Sequence, residues 1–191
     1  MLAGSTQIPA QVDVPLYSSF ADTASYTDGE GTARSADSGF SNGKEPKFPV
    51  IVFSHGMASS RTSYTQYCGE LASRGYVVAA IEHRDGSGPG SQVMGSGGSE
   101  RNVFHITPET LDRDPDIDMP ILKEEQLAFR QAEVEETIKM LRGLNEGRGK
   151  QIWESNKRDE GSGLASWEGR LDVDEVVVGG HSYGATLAVR T

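Results

Sequence analysis

A serine between two glycines is the first indication of chemistry in this sequence. The motif Gly180-x-Ser182-x-Gly184 follows the β-branched run 176–178 and precedes the helix-forming run 185–189. A strand, a sharp turn and a helix in this order form a nucleophile elbow. Its turn strains the serine backbone, and small residues two positions away let the strand and the helix pass closely. We therefore predict that Ser182 is a nucleophile and that Gly180 and Gly184 are the elbow glycines.

Two backbone N–H groups are candidates for the oxyanion site that acyl transfer by serine requires. The N–H of Tyr183 follows the nucleophile at the start of the helix, where the helix dipole adds to its effect. A second donor is expected in the turn after a strand that ends in a His-Gly motif. The apolar run 48–53 leads into Ser54-His55-Gly56-Met57, which makes the N–H of Met57 that candidate. Both motifs follow buried strands, so we expect them to meet in one crevice.

A catalytic base is not evident after the nucleophile. The expected order in such a fold is serine, then an acid, then histidine. The sequence ends at Thr191, nine residues after Ser182. We therefore expect the triad acid and histidine, and the later strands, to be absent from this chain. As it stands, the chain should have at most feeble activity and should be unstable. Three parallel strands would leave an open hydrophobic edge where the next strand should pair.

The upstream histidines have more ordinary interpretations than that of a base. His55 is expected to brace the oxyanion turn, and the elbow should turn His181 away from the site. His83, at the end of a strand, and His105, on a long loop, remain the alternatives for the base. Two acids near the site are interpreted as structural: Glu82 and Asp85.

The elements around these motifs follow the order of a parallel sheet. After the strand 48–53, Ser59 or Ser60 is expected to cap a helix that ends at Gly75. The run 76–82 is the next buried strand, so the three elements form a βαβ unit with a right-handed crossover. The apolar stripe of the helix is expected to face the sheet and consists of Tyr64, Tyr67, Cys68 and Leu71.

A long helix is predicted over 121–144, with charged residues covering the face away from the core. Its apolar face is broken by Gln131 and consists of Leu127, Val134, Ile138 and Leu141. Before it, residues 84–119 are predicted to be a long loop, either a lid over the site or an idle insertion. After it, residues 148–170 form a polar tract in which Trp153 and Trp167 could anchor the chain.

The fold class that follows is α/β, a partial fold with about three parallel strands and helices on both faces. We expect this incomplete domain to cover residues 47–191. Residues 1–46 are predicted to be poorly ordered and without helix, because they carry few apolar side chains.

Composition excludes several classes of function. The net charge of −10 argues against nucleic acid and against docking on an anionic bilayer, although a neutral or zwitterionic lipid remains compatible. No apolar run is long enough for an integral membrane segment, and no signal peptide is evident, so we expect a cytoplasmic protein. Cys68, the single cysteine, is interpreted as a packed residue. Motifs for metal, nucleotide or other cofactors are absent.

Several stretches of the sequence together carry a family resemblance. They are residues 53–56, Ser60-Arg61 with Tyr64, residues 71–87 with their Glu-His-Arg-Asp run, the elbow 180–186 and the Glu-rich helix 123–144. This combination resembles the platelet-activating factor acetylhydrolases, plasma and intracellular type II, of the α/β-hydrolase superfamily. The Glu-His-Arg-Asp run is the specific part, since the other motifs fit many α/β-hydrolases. The resemblance covers roughly residues 48–191, and the family's catalytic Asp and His have no counterparts here.

The resemblance implies a calcium-independent serine esterase that acts on phospholipids with a short or oxidised sn-2 acyl chain, without a cofactor. It implies that Ser182 is the nucleophile, that Met57 and Tyr183 are the oxyanion donors, and that the protein has peripheral contact with a lipid surface. Two alternatives stay open. One is another serine hydrolase of this fold, such as a carboxylesterase or polyester hydrolase. The other is a non-catalytic, truncated remnant.

Overall fold

The computed structural model describes residues 13–14, 16–17, 26–27, 33–34, 45–95, 98–112, 114–156 and 160–190. The prediction for residues 1–46 therefore falls largely outside the described residues. The described chain forms two compact units. The first unit consists of described residues within Phe48–Arg142 and Leu171–Thr191, and the second consists of the other described residues. Every residue of the site described below belongs to the first unit.

The regular elements are numbered here in chain order, within the described residues. The strands are β1 (Tyr26–Thr27), β2 (Ala33–Arg34), β3 (Phe48–Ser54), β4 (Val77–Ala80), β5 (Gly90–Met94), β6 (Glu100–Phe104) and β7 (Leu171–Gly180). The α-helices are α1 (Thr65–Ser73), α2 (Met119–Gly143), α3 (Gly149–Ser155) and α4 (Tyr183–Ala188). Short 3-10 helices cover Arg61–Tyr64, Pro108–Thr110 and Ser162–Trp167, and a π-helical turn covers Leu144–Arg148.

The first unit is built on a parallel sheet with the strand order β4-β3-β7. Val52, on the central strand, pairs with Ala79 on one side and with Val178 on the other. Val50 and Val52 are fully buried, as expected for a strand covered on both faces. Helices α1 and α4 pack against the strands. The predicted partial α/β fold, with three parallel strands and flanking helices, is confirmed.

The first crossover follows the prediction, with one exception. The backbone N–H of Ser60 donates to Ser63 Oγ over 3.1 Å at the start of the 3-10 turn that leads into α1. Gly75 ends the helix with φ of +90°, a conformation that glycine adopts without strain. Tyr67, predicted to face the sheet, is 55% exposed. Its ring only partly covers Phe53, at a centroid distance of 5.5 Å.

Residues 84–119 are not a loop throughout, and that part of the prediction was wrong. Strands β5 and β6 form an antiparallel hairpin in which Val93 pairs with Arg101. The segments before and after the hairpin are joined by a backbone hydrogen bond, in which the N–H of Ile106 donates to the Gly86 carbonyl over 2.8 Å. The hairpin is surrounded by glycines, which are typical of loops. The strands of the hairpin are mostly polar, and this hid the alternation of exposed and half-buried side chains along β5.

Helix α2 begins two residues before its predicted start, at a turn where Asp118 Oδ1 accepts from the N–H of Ile121 over 3.0 Å. The predicted apolar positions Leu127, Val134 and Leu141 are buried. The prediction that its charged residues all lie on the outer face was wrong. Among the buried side chains of this helix are three polar ones: Gln126, Arg130 and Glu133.

The polar tract 148–170 contains regular structure in its described residues. Helix α3 lies within it, and α3 packs closely against the turn Ser162–Trp167. A Cβ on Gly149 would overlap the backbone of Leu164, so the absence of a side chain permits this contact. The two tryptophans of the tract, Trp153 and Trp167, are half-buried, in agreement with an anchoring role.

No helix in the described part of the chain is both long enough and apolar enough to cross a bilayer.

The sheet core gives a matched pair of substitutions. Val52→Ala should lower the free energy of unfolding by about 2 kcal/mol, because it removes two buried methyl groups from the central strand. Val177→Ala, at a 56% exposed position of β7, should cost less than about 1 kcal/mol. Urea denaturation of both variants measures the difference. Equal costs would contradict a core centred on β3.

Candidate active site

Ser182 lies at the turn between β7 and α4 with a strained backbone. Its φ is +53° and its ψ is −117°, a combination that side-chain-bearing residues rarely adopt. The residue is exposed, so its hydroxyl is accessible at the end of the sheet. The geometry is that of a nucleophile elbow, as the strand–serine–helix pattern predicts.

The two elbow glycines are required by close backbone packing. A Cβ on Gly184 would overlap the carbonyl group of Ser54 and approach the His55 carbonyl oxygen to 2.8 Å. A Cβ on Gly180 would come within 2.5 Å of the Gly184 backbone. Real Cβ atoms do not make contacts this short. The absence of side chains at these positions therefore lets α4 rest directly on the end of β3.

This packing brings the two predicted motifs together. The N–H of His181 donates to the Ser54 carbonyl over 3.2 Å, so the elbow is bonded to the start of the oxyanion turn. Tyr64 adds a second link, because its hydroxyl accepts from the Gly56 N–H at 3.3 Å and lies 2.8 Å from His181 Nδ1. The side chain of His181 is thus held by Tyr64 rather than by Ser182.

Met57 and Tyr183 carry the predicted oxyanion donors. Among the described residues, neither backbone N–H has an acceptor, whereas the next N–H along the chain is used in both cases. The Ala58 N–H donates to the Ser87 carbonyl over 2.8 Å, and the Gly184 N–H donates to the His181 carbonyl over 2.9 Å. Two open donors beside a strained serine are what an oxyanion site needs.

His55 braces the oxyanion turn, as predicted. Its Nδ1–H donates to the Gly56 carbonyl over 2.8 Å, and its Nε2 accepts from the N–H of His83 over 3.3 Å. Burial lowers the pKa of His55 below its ordinary value. A neutral ring with the proton on Nδ1 satisfies both bonds, and the ring is fully buried.

His83 lies in a buried array that resembles a triad but has no access to solvent. Its Nδ1 is 2.7 Å from Glu133 Oε2, and its Nε2 is 2.7 Å from Ser54 Oγ. In a neutral ring, Nδ1–H donates to the carboxylate and Nε2 accepts from the hydroxyl. Because Ser54 is fully buried, this array can brace the turn but cannot attack a substrate.

A base for Ser182 is not found among the described residues. Three of the four histidines are engaged as described above, and the fourth, His105, lines a groove beside the hairpin. The acids predicted to be structural are placed accordingly: Asp85 pairs with Arg130, and Glu82 lies 3.6 Å from His55. Nor do the described residues contain a cluster of side chains suited to a metal ion.

Arg130 and Glu133 are the site residues that sequence reasoning missed. Both project from α2 into the site and are buried, Arg130 completely. Arg130 Nε donates to Asp85 Oδ2 over 2.7 Å, and its Nη1 donates to the His55 carbonyl over 2.7 Å. The burial of Arg130 could have been predicted from its position in the sequence, because it lies on the apolar stripe of the helix, between Leu127 and Val134.

Tyr183 also contacts α2 through its side chain. The Arg130 guanidinium lies 4.7 Å from the centroid of the Tyr183 ring, within the range of a cation–π interaction. The phenol donates to the Lys123 carbonyl over 2.6 Å. Burial raises the pKa of Tyr183 to about 12, so the phenol keeps its proton and remains a donor.

Comparison with known proteins gives a consistent result. The sequence profile of a family described as platelet-activating factor acetylhydrolase, isoform II, matches residues 23–191. A Schizosaccharomyces pombe protein named putative phospholipase A2 is 35% identical over 147 residues, covering 73% of this chain and 33% of that protein. The Bos taurus platelet-activating factor acetylhydrolase is 31% identical over 147 residues, covering 76% and 32%. The chain thus spans about a third of the length of these curated relatives.

Among solved structures, the chain is similar to a ferulic acid esterase from Streptomyces cinnamoneus, with a TM-score of 0.44 and 22% sequence identity. The match covers 83% of this chain and 34% of the esterase.

Two glycines on neighbouring elements test the elbow packing. Gly184→Ala should destabilise the protein by several kcal/mol, because its Cβ would overlap the Ser54 carbonyl and force α4 away from β3. Gly179→Ala should be nearly neutral, since nothing lies within 4 Å of a Cβ built there. Thermal unfolding of the two variants provides the measurement. A tolerated alanine at position 184 would contradict the packing described here.

Proposed function

The chain belongs to the platelet-activating factor acetylhydrolase, isoform II, family, and from that premise we propose that Ser182 is the nucleophile of a serine esterase. The proposed substrate is the sn-2 ester of a phospholipid with a short acyl chain. The observation that carries the proposal is the strained, exposed Ser182 between β7 and α4, with two open N–H donors beside it.

The proposed reaction is acyl transfer in two steps. Ser182 Oγ attacks the sn-2 carbonyl carbon, and the carbonyl oxygen becomes an oxyanion that accepts from the N–H groups of Met57 and Tyr183. The carbon–oxygen bond to the glycerol then breaks, which leaves an acyl-enzyme and a lysophospholipid. Water hydrolyses the acyl-enzyme to release the acid. Each N–H donor is expected to stabilise the transition state by about 3 kcal/mol.

The attack also requires a base that accepts the Ser182 proton and then donates it to the glycerol oxygen that leaves. The described residues place no base at Ser182. These residues thus supply the proposed nucleophile and oxyanion donors.

Several observations support a lipid substrate. The curated relatives are named for platelet-activating factor and for phospholipase A2 activity. The net charge of −10 favours a zwitterionic headgroup over an anionic surface. In the first unit, a groove of about 530 Å³ lies beside the hairpin and is bordered by Phe104 and Phe129, which are 66% and 46% exposed. We propose that these two exposed rings contact the lipid surface.

Labelling by a fluorophosphonate probe tests the nucleophile directly, because the probe reports on the serine and its oxyanion donors without requiring a complete turnover. The purified protein should be labelled at Ser182, as located by peptide mapping. Ser182→Ala should abolish labelling, whereas Ser73→Ala, at an exposed serine of α1, should leave it unchanged. Absence of labelling at Ser182 would contradict the proposal and favour a non-catalytic remnant.

Protection from the same probe tests the substrate class. A phosphatidylcholine analogue with an sn-2 acetyl group should slow labelling of Ser182, and the analogue with an sn-2 palmitoyl group should not. If a simple aryl acetate protects as well as the acetyl phospholipid does, the protein is better described as a general carboxylesterase.

A further inference from the structure

Arg130 connects two of the turns at the proposed oxyanion site, those that follow β3 and β4. Its side chain is fully buried, and each part of the guanidinium has an acceptor. Nε donates to Asp85 Oδ2 over 2.7 Å, Nη1 to the His55 carbonyl over 2.7 Å, and Nη2 to Ser87 Oγ over 2.5 Å. Nη1 also lies 3.3 Å from Ser54 Oγ. One side chain of α2 therefore contacts the segments that follow both β3 and β4.

The contacts of Arg130 bracket Met57 on both sides. On the amino-terminal side, Arg130 donates to the His55 carbonyl, which belongs to the peptide unit directly before the one that carries the Met57 N–H. On the carboxyl-terminal side, Ala58 has a strained φ of +55° and donates its N–H to the Ser87 carbonyl over 2.8 Å. Ser87 is in turn held by Arg130. The peptide that carries the Met57 N–H thus lies between two tethered points.

The second donor is held by the same residue through a different contact. The Tyr183 ring packs on the Arg130 guanidinium at 4.7 Å, and its phenol is bonded to the Lys123 carbonyl of the same helix. The side chain of Tyr183 is therefore fixed both through its ring face and through its hydroxyl group. Because this residue begins α4, fixing its side chain also fixes the direction of its backbone N–H.

From this geometry we propose that Arg130 is a positioning residue that sets the two oxyanion donors, Met57 N–H and Tyr183 N–H, relative to Ser182. The inference rests on the proposed function and extends it to a residue outside the nucleophile and its donors. Arg130 acts only through its contacts with the turns and with the Tyr183 ring.

The physical chemistry of a buried ion pair favours this role over a purely stabilising one. Arg130 and Asp85 both have fully buried side chains. Burial raises the pKa of Asp85, but the charge of Arg130 and the hydrogen bonds from Ser87 outweigh it and hold the pKa below its usual range. A buried pair of this kind is often no more stabilising than apolar residues of the same volume. What it supplies is fixed geometry, which the planar, multidentate guanidinium provides and a lysine does not.

Arg130→Lys tests the positioning role because it retains the positive charge and removes the fork of donors. The maximal rate of phosphonylation of Ser182 should fall by about 100-fold, and the half-saturating probe concentration should change by no more than about twofold. Arg142→Lys, the same substitution at an exposed position of the same helix, should leave both values unchanged. Thermal unfolding of each variant gives its folded fraction at the assay temperature.

A milder variant keeps the test valid if Arg130→Lys does not fold. Ser87→Ala removes one contact of the guanidinium and leaves the pair with Asp85 in place. It should lower the maximal phosphonylation rate by several-fold in a fully folded protein. The proposal is overturned if a folded Arg130→Lys, or a folded Ser87→Ala where the former fails to fold, reacts at the wild-type maximal rate. It is equally overturned if the loss matches the unfolded fraction.

The same labelling experiment distinguishes the proposed function of Ser182 from the positioning role of Arg130. If the wild-type protein is not labelled at Ser182, the proposed function falls and this inference falls with it. If the wild type is labelled and the Arg130 variant is labelled equally fast, the proposed function stands and only the positioning role is lost.

Discussion

The close contact between Gly184 and the Ser54 carbonyl is the constraint on which the rest of the site depends. It joins the first turn of α4 to the end of β3 with no side chain between the two backbones. Ser182 can adopt its strained conformation only because the strand before it and the helix after it are fixed in this way. The same contact brings the open N–H groups of Met57 and Tyr183 to one end of the sheet.

A buried polar layer beneath this contact gives the turns their shape. His83, Glu133, Arg130 and Asp85 lie under the turns that follow β3 and β4, and they bond to one another or to the turn backbone. Such a network is costly unless its members are satisfied, because an unpaired polar group in a low-dielectric interior loses its interactions with water. Here the network is almost complete. Among the described residues of the first unit, Glu82 Oε1 is the buried side-chain atom without a hydrogen-bond partner.

The elements that could be predicted from the sequence are those whose local residue pattern agrees with their place in the fold. The apolar run 48–53 and the Val-rich run before Gly180 are strands, as predicted, and the glycine spacing around Ser182 required a tight elbow. The predicted burial of the Val-rich run was wrong, because Val177 is 56% exposed on β7, which lies at the edge of the sheet. The hairpin β5–β6 escaped prediction because its strands are mostly polar and its glycines are typical of loops. The burial of Arg130 and Glu133 was not predicted, because charged side chains on a helix are normally expected to be exposed. Only the fold shows which turns these two side chains contact. The roles of Met57 and Tyr183 stay predictions, since they depend on a bound oxyanion.

The most direct test of the account is the crystal structure of the protein after phosphonylation at Ser182. The phosphonyl oxygen mimics the oxyanion of the acyl-transfer intermediate. The account predicts that this oxygen lies about 3 Å from both the Met57 nitrogen and the Tyr183 nitrogen, with the Arg130 contacts unchanged. If the phosphonyl oxygen points to solvent, or is bound by other donors, the oxyanion site assigned to these two residues is wrong.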